Sequence, residues 1–143
     1  MSLTRRFKNG DVEVIIPDQK KVPVDVREVS APSLEQTPPV HIGFHPFRIV
    51  IGLEYFDPTH ENAGVGQFDP PLEVHIRYTA QDLAIATNAR RALRLGFWDG
   101  TRWLLFTESK HDFRLEPDQA PGTGGWGKVK VKDWNDPPKA WGT

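Results

Sequence analysis

Leu93-Arg94-Leu95-Gly96-Phe97-Trp98-Asp99-Gly100-Thr101-Arg102-Trp103-Leu104-Leu105-Phe106 sets Asp-Gly between two apolar and aromatic runs. That dipeptide is a strong short-range signal for a β-hairpin, because both residues tolerate the positive φ that a type I′ turn demands. With Asp99-Gly100 as a two-residue loop, the expected pairs are Trp98 with Thr101, Phe97 with Arg102, Gly96 with Trp103, Leu95 with Leu104 and Leu93 with Phe106. Leu93, Leu95, Phe97, Leu104 and Phe106 then share one face, suited to a core. Trp98, Trp103 and Leu105 share the other face with Arg94, Gly96 and Thr101. In that register Trp103 covers the backbone that Gly96 leaves bare.

Outward from the hairpin, 13 prolines and 12 glycines punctuate the 143 residues, the rhythm of short strands and turns rather than of long helices. A chain of this length buries roughly two-thirds of the surface its unfolded form exposes, enough for one core. The expected architecture is all-β: a single domain over residues 1–143, folded as an antiparallel two-sheet sandwich of about seven or eight strands with one short helix.

The strand expectations follow period-two alternation. Asp11 to Ile16 reads as the first strand. Val22, Val24 and Val26 alternate with Pro23, Asp25 and Arg27, with Pro23 marking an edge or bulge. Residues 30–39 hold three prolines and read as a loop or crossover. Phe47 to Phe56 is the central-strand candidate, and Asp57 to Pro71 a polar, Gly-rich connection. Leu72, Val74, Ile76 and Tyr78 then face away from Glu73, His75, Arg77 and Thr79. Thr79-Ala80-Gln81-Asp82 has the shape of a capping box opening a short helix to about Ala86, with Leu83 pinning it to the core. A strand is expected around Asp112 to Leu115. In Lys128-Val129-Lys130-Val131-Lys132, lysines alternate outward along an outer strand, where they discourage edge-to-edge association.

The segment Leu72 to Phe106, with Ile76-x-Tyr78-Thr79-x-x-Asp82-Leu83 followed by Leu93-x-Leu95-x-x-Trp98-Asp99-Gly100-x-x-Trp103, resembles a hairpin-bearing β-sandwich module of bacterial surface and secreted proteins, of the immunoglobulin-like or ZU5-like kind. The resemblance implies an accessory or interaction module and transfers no catalytic residue. The Gly/Pro-rich stretch after Leu115 departs from its pattern.

With 18 basic and 19 acidic residues the net charge is −1, which supplies no field to draw nucleic acid or an anionic membrane surface. The absence of cysteine removes disulfides, thiolate chemistry and Cys-based zinc sites, and leaves the redox compartment unspecified. No apolar run approaches the ~20 residues of a membrane helix. Met1-Ser2-Leu3 has the form of an added leader. If it replaces a native export signal, an extracellular or cell-envelope location is expected, and otherwise a cytoplasmic one.

Chemical motifs are weak. Gly122-Thr123-Gly124-Gly125-Trp126-Gly127-Lys128 fits G-x-x-x-x-G-K, but Val129 stands where a phosphate loop needs Ser or Thr, and a strand pattern follows instead of a helix. His41 and His45 have a spacing that converges on a metal only in a helix, which Gly43 and Pro46 oppose; in a strand they lie about 13 Å apart. Asp57, His60 and Glu61 form a loop set that suits a hard cation or acid–base work only if a third element fixes it. His75 and His111 lack a nucleophile partner, and no serine sits in a nucleophile elbow. No metal, cofactor or enzymatic activity is expected.

The tryptophans Trp98, Trp103, Trp126, Trp134 and Trp141 remain, since indoles stack on sugars, anchor interfaces or cover sheet faces. Trp98, Trp103 and Trp126 are the candidate ligand-binding residues. The expected role is a noncatalytic interaction or accessory module of a bacterial protein, engaging a protein partner or a second copy of itself. The alternative is carbohydrate binding through exposed tryptophans.

Overall fold

A computed structural model describes residues 2–20, 22–29, 50–64, 67–88, 96–98, 103–105, 108–119, 124–133 and 140–142. In chain order the strands are β1 (Leu3–Phe7), β2 (Val12–Ile16), β3 (Asp25–Val29), β4 (Val50–Asp57), β5 (His60–Gly64) and β6 (Gln67–Thr79). After helix α1 (Ala80–Asn88) come β7 (Gly96–Trp98), β8 (Trp103–Leu105), the single-turn helix α2 (Glu108–His111), β9 (Arg114–Pro117), β10 (Gly124–Asp133) and β11 (Ala140–Gly142). They form two antiparallel sheets. The five-stranded one has the order β1-β2-β6-β10-β9; the other runs β3-β4-β11-β7-β8, with β5 paired to β4. The all-β class is as expected, but the described residues hold eleven strands rather than seven or eight.

Alternation explains the long strands. Val12, Val14 and Ile16 of β2, Leu72, Val74 and Ile76 of β6, and Val129 and Val131 of β10 are all buried, and paired positions across the sheet bring Val14, Val74 and Val129 into one row. Val26 of β3 and Leu53 and Tyr55 of β4 join the same buried cluster, where the Tyr55 and Phe68 rings stand 5.1 Å apart. Burying a side chain of this kind contributes about 1.5–3 kcal/mol.

Several expectations are corrected. Leu3–Phe7 is itself a strand, and it pairs with β2 along its whole length. Strand β3 begins only at Asp25, after Pro23, whose missing N–H cannot join a ladder, but it does lie at a sheet edge, as Pro23 implies. The connection expected over residues 57–71 contains β5 and the start of β6. Residues 30–39 lie outside the described residues.

The hairpin exists, but the ladder pairs Trp98 with Trp103, Phe97 with Leu104 and Gly96 with Leu105. Residues 99–102 therefore connect the strands, and Trp103 does not stand opposite Gly96. A shift of two residues leaves every side on its original face, so the hydrophobic pattern that selected the faces is blind to it.

The capping box closes as the sequence predicts: the Thr79 N–H donates to Asp82 Oδ2 at 2.9 Å, and the Asp82 N–H donates to Thr79 Oγ1 at 3.1 Å. It also fixes the rotation of α1. Asp82 is buried against the sheet, which turns the next residue outward and leaves Leu83 exposed rather than in the core.

Candidate functional site

The outer face of the five-stranded sheet carries the densest arrangement of functional groups among the described residues. Register places Arg6, Glu13, His75, Lys128 and Arg114 in one row, one residue from each strand. The next row aligns Arg77, Trp126 and Glu116. Because β2, β6 and β10 spend their alternate positions on the apolar core, these residues have only this face to occupy.

Ion pairs knit the rows together. Arg114 Nη2 donates to Glu73 Oε1 at 2.9 Å, Arg6 Nε donates to Glu13 Oε1 at 3.2 Å, and Lys128 pairs with Glu116. Lys130 Nζ lies 3.4 Å from Asp112. Arg77 grips Asp118 with both terminal nitrogens, one bond being 2.8 Å, while its guanidinium carbon sits 5.4 Å from the Trp126 ring centre. Trp126 is half-buried, and the ring of His75, also on β6, lies 6.4 Å away.

His75 is the group that alternation alone misplaces. It shares the polar side of β6 yet is only 6% exposed, and its Nε2 is buried without a hydrogen-bond partner. Glu73 Oε1 stands 3.6 Å from that atom, beyond hydrogen-bonding range, and Glu13 Oε2 stands 3.8 Å from Nδ1. Burial, followed by the field of Lys128, holds the imidazole below its ordinary value of 6.5, against the opposing pull of Glu73 and Glu13. Burial raises Glu73, but the Arg114 hydrogen bond and the neighbouring His75 outweigh it and leave that carboxyl low.

The close-packed end of this face explains its glycines. Gly124 has φ +103, and a Cβ there would overlap the Tyr78 carbonyl oxygen; a Cβ on Gly125 would overlap the Glu116 carbonyl oxygen and approach Pro117 Cα to 2.7 Å. Gly124 to Asp133 is strand, and Gly127 and Lys128 are paired with Ile76 and His75 inside the sheet. The G-x-x-x-x-G-K pattern thus runs into a β-ladder and has no helix N-terminus following it.

The candidate tryptophans do not form one group. Trp126 belongs to β10 of the five-stranded sheet, whereas Trp98 and Trp103 are paired positions of β7 and β8 in the other. Trp141 of β11 pairs with Ile51 and Phe97, the alternation class of buried Leu53 and Tyr55. Trp98 and Trp103 therefore occupy the opposite class of register positions. Trp134, His41 and His45 lie outside the described residues.

The loop set resolves into a hairpin. Asp57 Oδ1 accepts from the Thr59 N–H at 2.8 Å and from Thr59 Oγ1 at 2.6 Å, and Asp57 pairs with His60 across β4 and β5. The carboxylate shapes the turn. Among the described residues no group of three or more His, Asp or Glu is placed to hold a metal ion. Strand β10 lies between β6 and β9, but β9 pairs only with Gly125–Lys128, so Lys128 guards no edge, whereas Lys130 and Lys132 lie beyond the described β9 ladder. Lys128 and Lys130 pair with acids from β9 and the segment before it.

Read from the sequence, His75 is a surface or network residue, and its burial is missed. The available signal is its place at the centre of a long alternating strand, where five-strand pairing covers even a polar position. No family model matches the chain, and no curated protein or solved structure matches it.

Proposed function

We propose that this chain is a noncatalytic interaction module whose recognition surface is the outer face of the five-stranded sheet, centred on Trp126. The observation that carries the reading is the half-buried indole lying beside both the Arg77 guanidinium and the His75 ring of β6, within a lattice of matched charges. Tryptophan and arginine dominate the energetic centres of protein interfaces, and a polar surround with satisfied partners suits the rim. The two sheets stack as a sandwich in this reading, supported by the single buried cluster that draws Val26 and Tyr55 from one sheet and Val14 and Val129 from the other. The resemblance of residues 72–106 to bacterial surface modules accords with such a role.

The test places a benzophenone amino acid at Lys130, on the same face of β10 as Trp126, and at the distant Lys20 in living cells. A discrete protein adduct, with a second copy of the chain counted as a protein, should form at Lys130 alone and disappear in the folded Trp126→Ala variant. Equal adducts at both positions, or adducts indifferent to Trp126→Ala, would overturn the proposal.

The paired Trp98 and Trp103 positions favour one second reading, sugar stacking on the other sheet. A fluorescence titration across a glycan panel checks it: binding abolished by Trp98→Ala or Trp103→Ala at unchanged melting temperature supports this reading over the first.

A further inference from the structure

We propose that His75 is a proton switch for the Trp126 face, mild acidification turning its imidazole into a two-sided donor that rearranges the surrounding ion pairs. The proposal rests on the interaction reading and names how that surface is regulated. The geometry supports it across the row, at whose β1 end Arg6 holds Glu13 through Oε1 and leaves Oε2 towards the ring. Glu13 on β2 faces Nδ1 at 3.8 Å, and Glu73 on β6 itself faces Nε2 at 3.6 Å. Lys128 on β10 is the register partner of His75 on the opposite side, with Arg114 of β9 beyond it.

A neutral imidazole has one N–H, so it serves at most one of these carboxylates, and its buried Nε2 has no partner at hydrogen-bond distance. An imidazolium donates from both nitrogens. Closing the gaps of 3.6 and 3.8 Å to charge-assisted bonds draws both glutamates towards the ring. Glu73 Oε1 is also the acceptor for Arg114 Nη2, so the Arg114 pair must share or yield that oxygen. The new charge also repels Lys128, whose partner Glu116 stands opposite Trp126 in the register. With its ring 6.4 Å from His75, Trp126 lies within reach of each of these movements. The balanced lattice gains one positive charge at its centre, a change that an interface partner senses as repulsion or attraction.

The experiment is an NMR titration of the isotopically labelled full chain from pH 7.5 to 5.0, without any partner. The expected result is a His75 imidazole transition with its midpoint below the ordinary 6.5, with the Trp126 indole N–H shifting at the same midpoint. That indole shift is lost in His75→Gln. Glu73→Gln keeps the ring but removes one carboxylate, and should move the His75 midpoint further down. A stationary Trp126 during His75 titration, an indole shift retained in His75→Gln, or a midpoint unmoved by Glu73→Gln would overturn the switch. Should His75→Gln fail to fold, the wild-type midpoints and Glu73→Gln still decide. Because the titration needs no partner, its failure is distinct from absence of the Trp126-dependent adduct, which overturns the interaction reading alone.

Discussion

Arg5 clasps Asp25 with both ends of its guanidinium, Nε to Oδ1 at 2.9 Å and Nη2 to Oδ2 at 2.8 Å, and so ties β1 of one sheet to β3 of the other. Both strands are edges of their sheets. The pair, joined by Lys8 to Glu28 at 3.0 Å, sets charge along these two edge strands, the positions from which a sheet is open to extension.

Removing that clasp should matter modestly and only above acid pH. Arg5 is about half exposed, so Asp25→Asn should cost about 0.2–1 kcal/mol in denaturant titrations at neutral pH. Burial raises the Asp25 carboxyl, yet the Arg5 and Val26 hydrogen bonds overcome it and hold the group below its ordinary 3.8. The stabilisation is therefore present above that value and is lost as pH falls through the lower folded one. Wild type and Asp25→Asn should converge there; a constant gap down to pH 2 would disprove the assignment.

The sign is different for His75. Its folded value lies below the unfolded 6.5, so on acidification the unfolded chain takes the proton first and stability falls as pH drops below about 6.5. His75→Gln should flatten this segment of the stability curve, by up to about 1.4 kcal/mol per pH unit. Parallel curves for the two proteins would show that other groups govern it.

Leu72 is fully buried at the centre of β6. Leu72→Ala should destabilise by about 2–5 kcal/mol, combining lost transfer energy with a residual cavity. Urea denaturation measures it, and a loss under about 1 kcal/mol would mean the site collapses around the smaller side chain.

Glycines at positive φ offer a paired comparison. Gly10 has φ +91, and a Cβ added there would meet nothing within 4 Å, whereas at Gly124, with φ +103, the same atom would be driven into the Tyr78 carbonyl. Gly10→Ala should cost about 1 kcal/mol from backbone strain alone. Gly124→Ala should add an overpacking cost of about 1–3 kcal/mol. Equal melting temperatures for the two variants would contradict the close approach of β10 to β6.

At the start of α1, Thr79→Ala removes the hydroxyl that accepts from the Asp82 N–H. A loss of about 1 kcal/mol is expected in thermal unfolding. An unchanged melting temperature would mean that solvent replaces the cap without cost.

How legible these elements are in the sequence depends on what encodes them. Leu72 to Tyr78 alternates cleanly because its burial is one-sided, and Thr79 with Asp82 is a local device complete within four residues, so both are readable. Strand β1 carries Thr4-Arg5-Arg6 at its centre, and β5 reads His-Glu-Asn-Ala-Gly; neither alternates, because pairing with β2 and β4 supplies what their own side chains do not. The charged face shows the same division. Lys128 and Lys130 are visible as a stripe, but their partners come from Glu116 of β9 and from Asp112 just before it, a long-range fact of topology. His75 is polar in the pattern and buried in the fold for that same reason.

The position of β11 bears on the order in which the chain acquires its structure. Residues 140–142 lie between β4 and β7 and are the described ladder that joins the β3-β4 pair to the β7-β8 hairpin. On a ribosome, the five-stranded sheet has all its strands once Asp133 has emerged. Among the described residues, the second sheet remains two separate pieces until β11, which follows Asp133, is free of the exit tunnel. Translation therefore completes the two sheets on different schedules, and the interval between them is when β4 and β7 display edges that another chain can capture.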